Sequence, residues 1–508
     1  MKNKFIYLAI IAAGFASCEP EFENSVDANY SAGDADFTTY VAVGNSLTAG
    51  YMDGTVSRVG QTYSFPNLLA QKFALVGGGA FTQPSFAEDV NNLGGFAGVP
   101  NSTRRIIDAS TGTVENIAGT PTITLTPQAT AYNNMGVPGA KSFHLLIPGY
   151  ASLNPYFGRH ATSPTATVLG DAMSKAPTFF TNWIGANDVL SYATTGGIGV
   201  DQTGNQNIGT YGSNDITDPS AFAFHYNLII NGGTHPSFGI VTGLAQNGAK
   251  GVVATIPSVT SIPFFTTVPY NALPAEATSS NAQAIGLYQF LAAVSGGRIS
   301  ALSTTAGTKN PVLINDETLS DIGPTISYVA STIPSFAPYA TALGALYGKA
   351  RQATSNDLIL LTALGKIGQP NSAGTAPFNV NGVTFPLQDG DVLIPSEKNA
   401  IATATAAYNN SIRAIAASKN LAVADMNAIM NQLVSGLRIE DGTIYTANYF
   451  SSATANSVLF SLDGVHPNPR GYAVIANEII NVINEHYNAN IPLHAAANFP
   501  GISILPTN

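Results

Sequence analysis

The sequence predicts an α/β fold of three layers, α/β/α, built on a mainly parallel sheet, and three observations point to it. Four short apolar runs each end on a turn residue, as buried strands do: 37–43 before Gly44, 177–184 before Gly185, 251–256 before Pro257 and 421–424 before Asp425. Helical patterns alternate with these runs, which implies parallel, right-handed crossovers rather than hairpins. Polar turns that carry Ser, Asn, Asp and His lie near residues 44, 139, 187 and 463, across almost the whole chain. One sheet that gathers distant turns at its carboxyl edge explains that spread better than a row of separate domains.

The first run, FTTYVAV, is rich in β-formers and stops at Gly44-Asn45-Ser46. Residues 397–419 are Ala-rich with few breakers and feed directly into the strand at Leu421. The last helix is expected over 471–486, where Tyr472, Ile475, Ile479, Val482 and Ile483 recur at helical spacing. Asn468 can cap it, and Pro469 suits its first turn. The stretches 51–130, 191–245 and 265–395 are rich in Gly, Thr, Ser, Asn and Pro and show no sustained period. Structureless loops of that length are uncommon in a compact domain, so they are expected to carry short elements of their own and to form a cap. Length alone suggests about three domains. The motif spread instead predicts a single domain over 36–490 with those three insertions, followed by a tail over 491–508.

Only 10% of the 508 residues are charged, against about 25% in ordinary soluble proteins. With 45% hydrophobic residues, charge-driven disorder is excluded. The net charge of −10 argues against a nucleic-acid partner, which needs a basic face. The single Cys excludes an internal disulfide and any Cys-based zinc site. A neutral, polar surface suits a secreted or cell-surface protein.

The chain opens with Lys2 and Lys4 and an apolar run from Phe5 to Ala16, too short to span a bilayer but the right length for a signal-peptide core. It ends Phe15-Ala16-Ser17-Cys18, which resembles the lipobox of bacterial lipoproteins. The resemblance implies a signal peptide over 1–17, lipidation of Cys18 and a tether over 18–35. Ordinary cleavage that leaves a free thiol is the alternative. Glu19, Glu21 and Glu23 resemble the surface-export signal of Bacteroidota lipoproteins. The expected location is therefore the outer membrane, exposed at the cell surface or facing the periplasm, with the lipid as the only membrane contact.

Four segments carry candidate chemistry. Ser46, two residues past a strand-ending Gly, projects into the crevice of a parallel sheet or simply caps a helix. Gly139, after Pro138, permits close approach of a backbone N–H or is an ordinary loop glycine. Asn187 ends a strand, where it offers an amide donor or closes an Asx-turn. Asp463 and His466 stand three apart before the last helix, a spacing that lets the carboxylate orient the imidazole. No metal-binding His pair, His-Glu-x-x-His or Gly-x-Ser-x-Gly is present. His144 could line a pocket. The Phe and Tyr residues around 263–270 and 328–347 face a groove or pack the cap.

In this order the segments resemble the SGNH, or GDSL, hydrolases: Gly44-Asn45-Ser46-Leu47, Asn134 to Gly139, Gly185-Ala186-Asn187-Asp188 and Asp463 to His466. The resemblance implies a flavodoxin-like fold and carboxylic-ester hydrolysis. It assigns Ser46 as nucleophile, His466 as general base and Asp463 as its orienter. The oxyanion hole it implies combines the N–H groups of Ser46 and Gly139 with the Asn187 side chain, each donor contributing roughly 3–4 kcal/mol. The departure is Asn45 where the family motif has Asp, which keeps an acceptor oxygen and loses a charge. No cofactor or metal is implied. The expected partner is an ester substrate, of a lipid, small acyl or acetyl-glycan kind, and the expected state is a monomer. Activity should fall as His466 is protonated on acidification. Two other readings stay open: a surface binding lipoprotein with a vestigial site, and an acyltransferase on the same site.

Overall fold

A computed structural model describes residues 29–84, 86, 88–275, 282–439, 442–451, 454 and 457–506. Cys18 and the signal peptide expected over 1–17 lie outside them. Five parallel strands form the central sheet: β1 (Tyr40–Gly44), β2 (Asn134–Gly136), β3 (Phe179–Trp183), β4 (Lys250–Ala254) and β5 (Ala422–Ala424). Their order is β5-β4-β3-β1-β2. Every residue of β1 and β3 is buried, as expected of strands covered on both faces. The three-layer α/β fold predicted from the sequence is the one observed.

The helices follow from local chemistry. The short α1 (Ser46–Ala49) starts directly after β1, and α2 (Phe65–Phe73) has Pro66 in its first turn. After β3 come α3 (Asn187–Thr194) and α4 (Pro219–Asn231), the latter capped by Asp218. Before β5 runs α5 (Pro395–Ser418), where Glu397 reaches back to the Ile394 N–H at 2.8 Å. After β5 come α6 (Met426–Ser435) and α7 (Pro469–His486). The cap expected for α7 is present: the Asn468 side chain accepts from the Gly471 N–H at 2.9 Å. Helix α2 packs on α7, and α4 on α5.

The chain steps from β1 outward to β2, then crosses back past β1 to β3. The topological switch therefore lies between β1 and β3, where open α/β sheets form their ligand crevice. Gly44 pairs with Trp183 across that boundary, so the turns after both strands emerge side by side.

The segment 265–395 folds around a core of its own, with Leu287, Leu291, Ile314, Ile326, Leu343 and Leu387 buried together. Arg351 bridges Asp316 and Asp357 within it, at 2.6 Å to each. Just before it, the Phe264 N–H donates to the Gly464 carbonyl at 2.9 Å, next to Asp463 and His466. The other two stretches read as insertions are not wholly so. The ranges 51–130 and 191–245 contain α2 and α4, which pack in the main core through Phe65, Leu69, Phe222 and Ile229. The expected tail is not free, and of the expected tether only residues 29–35 are described. Ile504–Leu505 pairs in parallel with Arg105–Asp108. Ser31 exchanges two backbone hydrogen bonds with Asn490. Both chain ends of the described region are thus pinned by ladder bonds that periodicity does not reveal.

Candidate active site

Ser46 is the first residue of α1, and the turn that sets it there depends on its neighbours. A Cβ on Gly44 would lie 2.2 Å from Thr48 Oγ1 and 2.8 Å from the Trp183 carbonyl oxygen, so only glycine lets α1 fold back this closely. Asn45, not Ser46, is the cap: its side-chain oxygen accepts from the Leu47 N–H at 3.1 Å. That bond needs an acceptor but no charge, and the Asn45 amide oxygen supplies it.

Ser46 Oγ lies 2.8 Å from His466 Nε2, and His466 Nδ1 lies 2.9 Å from Asp463 Oδ2. An ionised carboxylate can only accept, so Nδ1 carries the ring proton and Nε2 accepts from the serine hydroxyl. Asp463 is almost fully buried and takes four further hydrogen bonds. Oδ1 accepts from Ser461 Oγ at 3.0 Å and from the N–H groups of Val465 and His466 at 2.8 Å each. Oδ2 accepts from the Gly54 N–H at 3.1 Å. Burial alone would raise its pKa, but the His466 ring and these donors outweigh it and hold the carboxyl well below the usual range.

Residues 51–55 brace this carboxylate from across the chain. The Asp53 N–H donates to Ser461 Oγ at 3.0 Å, and Asp53 Oδ1 accepts from the Leu462 N–H at 3.0 Å. Burial, reinforced by the nearby Asp463 charge, pushes the Asp53 carboxyl up to about 7. The Tyr51 ring sits 4.6 Å from the His466 ring and limits its tilt. Tyr51, Asp53, Gly54 and Ser461 were all missed in the sequence, because the contacts join residues some 400 positions apart.

Asn187 lines the same apolar cavity as Ser46 and His466. Its amide donates to the Ala140 carbonyl at 2.9 Å, which leaves its second N–H for another acceptor. The next residue, Asp188, is fully buried and accepts from the Ser142 N–H and Oγ, both at 2.8 Å. Neighbouring residues on α3 thus grip both ends of the loop that follows Gly139. Gly139 has φ of +79°, a conformation that favours glycine, and the space where its side chain would stand is open except for Asn154 Nδ2 at 3.9 Å. It is not among the residues lining the cavity beside Ser46.

The histidines outside the pair with Asp463 have other work. His144 Nδ1 accepts from the Lys141 N–H at 3.0 Å while its ring stacks on Tyr150. Burial, with Lys141 beside it, lowers its pKa to about 4, and it does not reach the cavity. His225 and His235 face each other at 3.3 Å through their Nε2 atoms. His235 Nδ1 accepts two backbone N–H groups and His225 Nδ1 meets the Ala221 carbonyl, so one Nε2–H donates to the other Nε2. The aromatic residues of 263–270 and 328–347 do not line the cavity either; Phe264, Phe265 and Tyr347 are core residues, and Tyr328 is exposed.

Among the described residues, one group of carboxylates is close enough to share a cation: Glu317, Asp389 and Glu397, whose oxygens lie within 4.8 Å of one another. Burial, then the charges of its neighbours, raises Glu397 to about 8. Glu397 therefore holds a proton at neutral pH, which takes one negative charge out of the cluster. Because this pKa is raised, the stability it confers is complete below about 4.5 and is lost as pH climbs through about 8. Glu397→Gln, which cannot ionise, should raise the melting temperature at pH 9 by roughly 2–4 °C and change it little at pH 5. Equal shifts at both pH values in a thermal scan would contradict this.

No protein-family model, curated protein or solved structure matches the chain.

Proposed function

We propose that the protein is a serine hydrolase of the SGNH type that cleaves carboxylic esters through an acyl-enzyme. The observation that carries the reading is the continuous chain Ser46 Oγ, His466 Nε2, His466 Nδ1 and Asp463 Oδ2, with links of 2.8 and 2.9 Å. A serine hydroxyl is a weak nucleophile until a base takes its proton. In this reading His466 does so as Ser46 Oγ attacks the ester carbon. The resulting imidazolium is stabilised by the Asp463 carboxylate and returns the proton to the leaving alcohol. A water molecule then repeats the sequence on the acyl-enzyme, with His466 again as base, and releases the acid.

The carbonyl oxygen gains charge in each half-reaction. The Asn187 amide and the backbone N–H of Ser46, both beside the cavity, are the donors we assign to it; Gly139, which does not line the cavity, is left out of the set. Asn187→Ala should lower kcat by about 10²–10³-fold while KM stays within a few-fold, since the donor acts mainly on developing charge. Steady-state kinetics on one activated ester separates the two. A variant that changes KM alone would place Asn187 outside the oxyanion site. The reading as a whole is tested by assaying the purified chain on nitrophenyl acetate, butyrate and octanoate. Release of nitrophenol with turnover supports it. Absence of hydrolysis for all three, in a folded sample, would overturn it.

A further inference from the structure

Helix α6 buries Met426, Met430 and Leu433, and all three line the cavity beside Ser46. An amphipathic helix ordinarily buries its apolar face against another layer of side chains. Here that face borders a cavity of about 110 Å³ that opens to solvent. Hollow space forfeits packing contacts, so a helix held over it is costly unless something fills it. Trp183, Val259 and Ile262 also line the cavity. Apart from the indole N–H, which donates to the Thr255 carbonyl at 3.2 Å, the polar side chains in the lining are Asn45, Ser46, Asn187 and His466.

We infer that this cavity takes the aliphatic acyl chain of the substrate, with α6 as the wall that sets its length. The inference rests on the ester-hydrolase reading and deepens it. Sugar hydroxyls placed among these side chains would lose their water without gaining partners, whereas an alkyl chain gains by burial. The acyl group stays attached to Ser46 through both half-reactions, while the alcohol must leave between them. A walled apolar cavity suits the part that stays. The α6 wall is firm at one end and adaptable beyond it. Asp425 caps its start and is held by Arg413 at 2.8 Å and Thr255 at 2.9 Å. Asn427 adds a bond to the Ile256 carbonyl at 3.0 Å. The two methionines are unbranched and can follow chains of different shape. At its far end Gly436, at φ +112°, turns the chain into a short hairpin of Leu437–Arg438 with Ile444–Tyr445.

The test is a series of nitrophenyl esters from acetate to laurate, in which only the acyl chain changes, beside a series of alkyl acetates, in which only the alcohol changes. In the wild type kcat/KM should rise roughly fourfold per added methylene over the first several acyl carbons, the rate equivalent of burying one CH₂. It should stay nearly flat along the alkyl series. Met430→Trp, which fills the cavity, should cut the octanoate-to-acetate ratio of kcat/KM at least tenfold. Leu433→Ala should move the preferred chain to greater length. Melting temperatures establish that both variants fold, and either one alone carries the test. A wild-type preference for acetate, a rise along the alkyl series instead, or ratios unchanged in both variants would overturn the inference while leaving the hydrolase reading intact. Failure to hydrolyse any ester in either series would overturn both.

Discussion

Replacing Ser46 with Ala should reduce ester hydrolysis by about 10⁵–10⁶-fold in kcat, the scale seen when the nucleophile is deleted from a serine-hydrolase triad. The loss is that large because the hydroxyl is the atom that forms the acyl bond, and no neighbour can replace it. Thr48, the other hydroxyl on α1, sits against Gly44, and the hydroxyl bonded to His466 Nε2 is that of Ser46. The structural cost should be small. Ser46 is nearly buried, its caps lie on Asn45 and Gly50, and its removal only frees His466 Nε2. A melting temperature near that of the wild type, with the rate near background, is the expected pair of results. Residual turnover within tenfold of the wild type would place the nucleophile elsewhere.

Asp463→Asn should lower kcat by about 10⁴-fold with little change in KM. The carboxylate keeps the proton on His466 Nδ1, and that leaves Nε2 free to take the serine proton. An amide can donate to Nδ1 instead, which moves the ring proton to Nε2 and faces it toward Ser46. The same substitution should also destabilise the fold, because Asp463 accepts hydrogen bonds on both oxygens and Asn has one. One of these donors then meets an N–H₂ group, a loss of about 1–3 kcal/mol for a buried unsatisfied group. Kinetics together with a denaturant titration reads both effects. Lost stability with an intact rate would mean that Asp463 only holds the loop.

Much of the fold was legible because burial on both faces gives parallel strands short, unbroken apolar runs. That is how 37–43, 177–184, 251–256 and 421–424 marked four of the five strands to within three residues. The fifth, Asn134–Gly136, has three residues and begins with a buried Asn, so it carries no hydrophobic signal. Helix α2 was hidden among polar turn-formers, and a Pro stands in its first turn. At the site, the turns with Ser46, Asn187 and His466 were readable because each adjoins a strong local signal: a strand end for the first two, a capped helix for the third. The braces around them were not. Gly54 and Asp463 are 409 residues apart, and nothing local to either announces the bond between them. The hollow under α6 is also invisible in sequence, since Met426, Met430 and Leu433 have the spacing of any buried helix face. A helix that packs on a neighbour and one that roofs a cavity have the same periodicity.

The central claim is that Ser46, activated by His466, is the nucleophile. The most direct measurement is covalent titration with a serine-directed alkyl phosphonate, read by intact mass and by peptide mapping. The account predicts one adduct per chain, located on Ser46, formed fast in the wild type and absent in Ser46→Ala. An adduct on another residue, or a folded wild-type chain that stays unlabelled, would contradict it.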